Sequence, residues 1–403
     1  MRRFGLLSQI LVAFILAIIL GAIVGPSIEV VQPLGDLFLR LIQFIIVPLV
    51  LASLVVGVAG AGDIKQIGRM GGVTFSYYLI TTAIAVFVGL VLANIFQPGA
   101  GVNITQPAGE VEVTEAPGVI DTLLNIVPVN PIAALVEGNM LQIIFFALFL
   151  GIGMAILGSK ARTVYNFFDG LAEVMYKITG IIMKFAPIGI FGLIAPTVGE
   201  HGISVLMPLF KVILLVYIGC ILHAALVYSF SVNFFAKMNP LRFFKGIAPA
   251  SLVAFSTSSS SATLPVTIKN TEENLGVSRK VSSFVLPLGA TINMDGTALY
   301  QGVAVLFIAQ FFGYDLSFAQ QLMIILTATL ASIGTAGVPG AGLIMTTMVV
   351  TAVGLPVEGI ALIAGIDRIL DMIRTSVNIT GDASAAVVVE ALEEKREARL
   401  HHT

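Results

Sequence analysis

The chain has 403 residues, of which 57% are hydrophobic and only 11% are charged, and its formal net charge is −2. Soluble domains carry about 25% charged residues, so this chain cannot cover a water-exposed surface, and we expect an integral membrane protein with the lipid bilayer as its solvent. The small net charge and the lack of a basic run argue against a nucleic-acid partner, and the lone Cys220 excludes an intrachain disulfide and a cysteine-rich metal site.

Apolar runs long enough to span a bilayer begin near the amino terminus. A spanning helix needs about 20 apolar residues, and such runs lie at 7–25, 34–59, 72–96, 128–157, 165–196 and 203–236. The first run has the basic start of a signal peptide, but its length and the lack of a small-x-small cleavage site favour a first membrane helix. From residue 240 the apolar segments are shorter and contain polar clusters, apart from two long segments at 279–312 and 357–391.

The positions of lysine and arginine predict the orientation, because cytoplasmic loops collect positive charge. These residues precede the first apolar run and follow the second, fourth and sixth, whereas the segments 26–33, 97–127, 197–202, 313–318 and 351–356 contain none. Both termini are therefore expected in the cytoplasm, including the charged tail that ends the chain.

The charge pattern holds only if the stretches 241–271 and 318–350 each enter and leave the membrane by the same face. Each has a break where a tip would lie, STSSSSATLP at 256–265 and GTAGVPGAG at 334–342. Non-helical backbone at membrane depth is tolerated only where it faces protein or a watery cavity. We therefore predict two re-entrant hairpins, each followed by a long helix, in an inverted repeat of the kind that forms transporter binding sites.

The final helix carries a polar stripe. Its members are spaced four, three, four and four residues apart and share one helical face: Asp367, Asp371, Arg374, Asn378 and Asp382. An ionised group at the bilayer centre costs about 2.5–3.5 kcal/mol, so the stripe must face a polar interior. A salt-bridge ladder that only holds helices together is the structural alternative, but it would not require the nearby Ser/Thr-rich and Gly-rich breaks.

The preceding helix contains GATINMDGT at 289–297, where Gly296 beside Asn293 and Asp295 indicates local unwinding that frees carbonyl oxygens. Asn293, Asp295, Asn378 and Asp382 together supply the oxygen ligands that hard cations prefer. With no cysteine or histidine expected nearby, sodium is favoured over a transition metal. A polar contact between two helices is the alternative interpretation.

Enzymatic functions are disfavoured. The Ser/Thr run 256–261 is compatible with a flexible linker or a nucleophilic site, but no lysine or histidine beside it provides a base. Tip amides and hydroxyls directed at a substrate carboxylate are its better use. Asp295 and Asp382 could form an intramembrane aspartyl protease, yet neither has the Tyr-Asp or Gly-x-Gly-Asp context of that class.

Over nearly its whole length the chain resembles prokaryotic members of the glutamate/aspartate transporter family, the dicarboxylate/amino acid:cation symporters. Four ordered motifs carry the resemblance, at 258–265, 293–297, 334–342 and 371–382. The resemblance implies an all-α membrane protein with eight transmembrane helices plus two re-entrant helical hairpins in inverted repeats. It further implies an importer of aspartate or glutamate driven by sodium, and not an enzyme.

The family pattern implies a role for each matching substrate residue. Arg374 would pair with the side-chain carboxylate of the substrate, and Asp371 would accept hydrogen bonds from its amino group. Family members that carry dicarboxylates lack this aspartate and carriers of neutral amino acids lack this arginine, so the pair favours acidic amino acids. The further substrate contacts implied are Ser258, Ser259, Ser260, Thr297, Val338, Ala341, Gly342, Thr375 and Asn378.

The same pattern implies three sodium sites, and the full oxygen set favours sodium over protons. The first would use Gly289, Asn293, Asn378 and Asp382. The second would use Thr291, Met294, Ser332, Ile333 and Thr335. The third would use Asn293 and Asp295 with Tyr78, Thr81 and Thr82.

One departure from the family concerns a second arginine, which archaeal relatives carry at the position of Ser258 and animal relatives at the position of Met372. This chain has neither, although Arg368 lies one turn before Met372. Because this arginine is missing, the family pattern does not decide between aspartate and glutamate as the preferred substrate. It also does not decide whether potassium is countertransported.

The resemblance also implies a homotrimer in the cell (inner) membrane. Residues 1–70 and 128–201 would form a scaffold with helices 1, 2, 4 and 5. Helix 3 at 71–96, helix 6 at 202–238 and the remainder at 239–403 would form a transport core that slides like an elevator, with the second hairpin, around Pro339, as extracellular gate. The alternatives are a proton-coupled C4-dicarboxylate transporter and a channel, since relatives also conduct anions.

Overall fold

The computed structural model describes residues 6–60, 64–100, 124, 126–203, 206–333, 337 and 340–400. Over these residues the chain is helical and contains no β-strand, as an all-α membrane protein requires. Among the described residues, five helical stretches are long and apolar enough to cross a membrane: Val12–Ala59, Met70–Phe96, Gln142–Ile182, Leu206–Ala236 and Arg279–Phe311. The number of spans and the re-entry of the two hairpins stay predictions.

The helices in the first part of the chain lie along the predicted apolar runs, although the run 128–157 is divided between two of them. They are α1 (Leu6–Val24), α2 (Gln32–Gly60), α3 (Ile64–Phe96), α4 (Pro131–Glu137), α5 (Met140–Leu157), α6 (Arg162–His201), α7 (Leu206–His223) and α8 (Ser229–Ala236). Short 3₁₀ turns at Gly25–Val31 and Gly158–Ala161 connect α1 to α2 and α5 to α6, and a π turn at Ala224–Tyr228 joins α7 to α8.

The second part consists of shorter helices with breaks between them. They are α9 (Pro240–Thr257), α10 (Ser260–Glu273), α11 (Arg279–Ile292), α12 (Asp295–Phe311), α13 (Phe318–Ser332), α14 (Ala341–Ala352), α15 (Gly359–Ala364) and α16 (Asp367–Leu400). The pairs α9–α10 and α13–α14, at the two predicted hairpins, each pack against each other.

The break between α11 and α12 differs in position from the prediction. Asn293 and Met294 leave helical geometry, with φ/ψ of −96°/105° and −128°/48°, whereas Gly296 lies in the first turn of α12. A Cβ atom on Gly296 would collide with the backbone of Arg374. Gly296 is therefore needed for the close approach of α12 and α16, and the unwinding belongs to the two residues before α12.

The helices form two groups, and the helices of each group pack against one another. Helix α6 packs against α1 and α2, and α2 also packs against α5; a Cβ on Gly192 of α6 would lie 2.5 Å from the backbone nitrogen of Gly35 on α2. Small residues at such crossings allow the close backbone contact that holds helices together in lipid. In the other group, α12 is buried along nearly its whole length and packs against α3, α7, α13, α14 and α16.

Candidate functional site

Three helices begin at one place in the core, beside the middle of α16. Helix α10 begins at Ser260, α12 at Asp295 and α14 at Ala341. The first N–H groups of a helix have no partner within the helix itself and carry partial positive charge, so their convergence favours an anion. A cavity at this point is lined by Ser258, Ser260, Met294, Thr297, Gly337, Ala341, Gly342, Asp371, Thr375 and Asn378.

This cavity is small. Its volume is about 10 Å³, which is the room that about one water molecule needs. The tips of the two predicted hairpins meet above it, because the carbonyl oxygen of Gly337 accepts hydrogen bonds from Ser259 Oγ at 2.7 Å and from the Ser261 backbone N–H at 3.2 Å. A ligand larger than a water molecule therefore fits only after the residues that line the cavity have moved apart.

The serines of the first tip have different positions. Ser258 has a left-handed backbone with φ of 51°, uncommon for a residue with a side chain, and its buried Oγ has no hydrogen-bond partner within the described residues. Ser260 also lines the cavity. Ser259 does not, because its hydroxyl accepts from the Ala262 N–H at 3.2 Å and donates to Gly337. Ser258 and Ser260 are thus the serines of this tip that line the cavity.

Arg374 is fully buried beside the cavity, although its side chain does not line it. Its Nη2 lies 2.8 Å from Asp367 Oδ1 and 3.0 Å from Asp371 Oδ1, and its Cζ lies 4.1 Å from the ring centroid of Tyr300. Nη2 thus pairs with both carboxylates, whereas Nε and Nη1 have no hydrogen-bond partner within the described part of the chain. A buried cation with unused donors is suited to a carboxylate ligand.

Asp371 connects this arginine to the second hairpin. Its Oδ2 accepts the backbone N–H of Gly340 at 3.2 Å and lies 3.6 Å from Nη1 of Arg368. The two aspartates and two arginines at 367–374 therefore form one cluster whose formal charges cancel. The sequence placed Asp367 on the stripe but not as a partner of Arg374, and Tyr300 was not predicted, since a tyrosine in an apolar helix gives no signal of its own.

Asn378 links α16 to the start of α12. Its Oδ1 accepts the Gly296 N–H at 2.8 Å, and its Nδ2 lies 3.2 Å from the sulfur of Met294 and 3.3 Å from Oγ1 of Thr297. The side-chain amide thus caps α12 and fixes the irregular backbone at 293–294. Met294, predicted only at a cation site, lines the cavity as well.

The residues of the first predicted cation site are brought together. Nδ2 of Asn293 donates to Asp382 Oδ1 at 2.9 Å and to the carbonyl oxygen of Asn378 at 3.1 Å, while its buried Oδ1 has no partner among the described residues. Gly289 packs directly on the Asp382 carboxylate, where a Cβ would collide. Rotation of the Asn293 side-chain amide would direct Oδ1, instead of Nδ2, towards the Asp382 carboxylate. The site would then present only oxygen atoms, which suits a hard cation.

The third predicted site is assembled in part. Asp295 Oδ1 accepts hydrogen bonds from Thr82 Oγ1 at 2.7 Å and from Thr81 Oγ1 at 3.3 Å. The hydroxyl of Tyr78 instead donates to the carbonyl oxygen of Val285 at 2.9 Å. The expectation that no histidine lies nearby is wrong, because His223 Nε2 lies 3.3 Å from Asp295 Oδ2. Within the described residues no cluster of His, Cys, Asp and Glu suits a transition metal.

The second predicted cation site is described only in part. Ser332 and Ile333 end α13, where the last carbonyl groups lack helical partners, and the Ser332 hydroxyl donates to Thr329 at 2.7 Å. Thr291 lies in the last turn of α11, and its exposed hydroxyl donates to Leu288 at 2.9 Å. Thr335 lies outside the described residues, as do Gly334, Val338 and Pro339. This site stays a prediction.

Comparison with known proteins gives matches over almost the whole chain. A model of the sodium:dicarboxylate symporter family matches residues 6–392. The chain is 43% identical to the proton/sodium-glutamate symport protein of Geobacillus stearothermophilus, over 98% of this chain and 96% of that protein. It is 40% identical to the proton/glutamate-aspartate symporter of Escherichia coli K12 (98% and 94% covered) and 37% identical to the C4-dicarboxylate transport protein of Bacillus subtilis 168 (96% and 94% covered).

Proposed function

Because this chain belongs to the sodium:dicarboxylate symporter family, we propose that it imports aspartate or glutamate together with sodium ions. The resemblance found in the sequence is thereby confirmed, and so is the expectation of a transporter rather than an enzyme. Several apolar helices in a transporter of this family indicate a multi-pass membrane protein.

The observation that carries the substrate proposal is the buried, incompletely hydrogen-bonded Arg374 beside a cavity formed by three helix N-termini. Its guanidinium would bind the side-chain carboxylate of the substrate, since the planar fork matches two carboxylate oxygens. The tip amides and the Ser258 and Ser260 hydroxyls would bind the α-carboxylate. Asp371, with Thr375 and Asn378 beside it, would accept the ammonium group.

Sodium is proposed over protons because of the oxygens that surround Asn293, Asp295 and Asp382. The unpartnered Asn293 Oδ1 supports a cation ligand, since a buried acceptor without a donor is costly. The relatives named above include both proton/sodium and proton symporters, so the coupling ion is decided by experiment.

A C4-dicarboxylate transporter is the second candidate, because a relative of that name is 37% identical. The retained Asp371 argues against it. A dicarboxylate such as succinate has no ammonium group to neutralise this carboxylate, and its second carboxylate would be repelled by it.

The transport cycle we propose starts from the small cavity with the two hairpin tips in contact. Separation of the hairpin tips admits substrate, whose carboxylate replaces Asp367 and Asp371 as partner of Arg374. Closure of the second hairpin then lets the core of α3 and α7–α16 slide as an elevator against α1, α2 and α4–α6. We propose a homotrimer in the cell membrane with both termini in the cytoplasm.

Uptake into liposomes that contain the purified protein tests the proposal. Labelled aspartate, glutamate and succinate are supplied under an inward sodium gradient at equal pH, or under an inward proton gradient without sodium. We expect sodium-driven accumulation of aspartate, glutamate or both, and little uptake of succinate. Accumulation by the proton gradient alone, or a preference for succinate, would establish one of the alternatives.

A further inference from the structure

The segment between α7 and α8 contains a π turn, Ala224–Tyr228. Such turns are rare and frequently occur at functional sites. In an α-helix of 3.6 residues per turn, residues five positions apart point about 140° away from each other. A turn of i→i+5 type brings them to one side instead. The π turn thus directs His223 and Tyr228 at the same carboxylate, that of Asp295.

The two oxygens of Asp295 have different partners. Oδ1 accepts the hydroxyls of Thr81 and Thr82 from α3, as described above. Oδ2 accepts the Tyr228 hydroxyl at 2.8 Å and lies 3.3 Å from His223 Nε2. The carboxylate is fully buried, so one side of it meets threonine hydroxyls and the other meets the π turn.

The rings of His223 and Tyr228 support each other. They pack edge to face, with centroids 5.1 Å apart and planes at 86°. Nδ1 of His223 is buried and has no hydrogen-bond partner within the described residues. The contact with Oδ2 therefore assigns a proton to Nε2 and makes the imidazole a donor.

Helix α16 completes the arrangement. The Tyr228 hydroxyl also lies 3.3 Å from the carbonyl oxygen of Val377, and a Cβ on Gly381 would lie 2.6 Å from that hydroxyl. A glycine is therefore required where α16 passes over the tyrosine. The same Cβ would lie 2.6 Å from Asn293 Nδ2, so Gly381 lies against both Tyr228 and a residue of the first cation site.

We propose that His223 and Tyr228 are positioning residues that hold Oδ2 of Asp295, so that Oδ1 faces α3 as a sodium ligand. This inference rests on the proposed third sodium site. A sodium ion beside Oδ1 requires Thr81 and Thr82 to turn their protons away, because a hydroxyl binds a cation through its oxygen. While the threonine protons point away, the hydrogen bonds from Tyr228 and His223 to Oδ2 keep the carboxylate from rotating.

The test measures the sodium concentration for half-maximal binding of labelled aspartate and glutamate by the purified full-length protein. We expect Tyr228→Phe and His223→Leu each to raise this concentration about tenfold or more, since each removes a hydrogen bond to a charged group. His223→Gln keeps an N–H donor and should stay within about threefold of wild type. Amino-acid affinity at saturating sodium should change less than about threefold in all three variants.

Cys220→Ala is the matched control, because Cys220 is buried one turn earlier on α7 and lies outside the contacts described here. Melting temperature without sodium reports any general loss of packing. If His223→Leu and Tyr228→Phe lower the melting temperature but leave the sodium dependence of wild type, the two residues only brace the helices and the inference is wrong. If binding by the wild-type protein does not depend on sodium, the proposed sodium coupling is wrong, and this inference is wrong as well.

Discussion

The carboxylate of Asp367 lies 2.8 Å from Nη2 of Arg374, the same nitrogen that Asp371 approaches to 3.0 Å. Arg374 is thus neutralised from within the protein. A substrate carboxylate that binds this arginine must compete with Asp367, and its release returns the arginine to Asp367. The pair therefore provides a counter-charge for the empty carrier.

Asp367→Asn should separate net uptake from exchange. Net uptake requires the empty core to cross the membrane, where an uncompensated charge costs about 2.5–3.5 kcal/mol, so we expect net uptake to fall roughly hundredfold. Exchange of internal for external substrate avoids this step and should stay within about threefold. Asp367→Glu, which keeps the charge, is the control. Equal losses in both assays would mean that Asp367 acts elsewhere in the cycle.

Arg374→Ala should abolish uptake of acidic amino acids while the protein still folds. Removal of one partner from a buried charge pair costs about 3–5 kcal/mol, which corresponds to a loss of some hundredfold to several thousandfold in affinity. Binding of labelled aspartate measures the loss, and Arg242→Ala, at an exposed position of α9, is the control. Uptake within threefold of wild type would contradict the role given to Arg374.

Asp371→Ser should weaken the binding of amino acids far more than that of succinate or malate, if Asp371 receives the ammonium group. Competition of each compound against labelled substrate measures the difference. Asp371 also contacts Arg374, Arg368 and the Gly340 N–H. Equal losses for aspartate and succinate would show that its main task is to hold the arginine and the hairpin tip.

Asp382→Asn should raise the sodium concentration for half-maximal stabilisation about tenfold or more, because it removes the charge of the first cation site. Gly289→Ala should act on the same site by sterics, since its Cβ would collide with the Asp382 carboxylate and the Tyr78 hydroxyl. Thermal shift against sodium measures both, with the exposed Asp169→Asn as control. If the sodium dependence of the melting temperature is the same in Asp382→Asn as in wild type, Asp382 has only a structural role.

The predictable part of this site is the part that depends on spacing within one helix. The stripe from Asp367 to Asp382 follows from helical periodicity, and the pairing of Thr81 and Thr82 with Asp295 follows from the family resemblance. The approach of His223 and Tyr228 does not, because it depends on a π turn that no residue pattern in an apolar helix announces. The contact of Tyr300 with Arg374 depends likewise on how two separate helices pack.

The last prediction is that transport is electrogenic. If all three proposed cation sites are filled, three sodium ions with one amino acid of net charge −1 carry two positive charges per cycle. Each charge moved through 100 mV is worth about 2.3 kcal/mol, so the membrane potential supplies roughly 4.6 kcal/mol. A tenfold sodium gradient adds about 1.4 kcal/mol per ion, or near 4 kcal/mol for three. The sum of roughly 8–9 kcal/mol supports about a millionfold accumulation without leak.

Liposomes with a fixed sodium gradient test this, with the interior held negative or at zero by potassium and valinomycin. A negative interior should raise initial uptake and the final accumulation, and replacement of external sodium by choline should abolish both. Asp382→Asn is the informative variant, because the loss of one site at low sodium should reduce the accumulation. Uptake that ignores voltage would mean that the ions and the amino acid cross with no net charge, which three occupied sites do not allow.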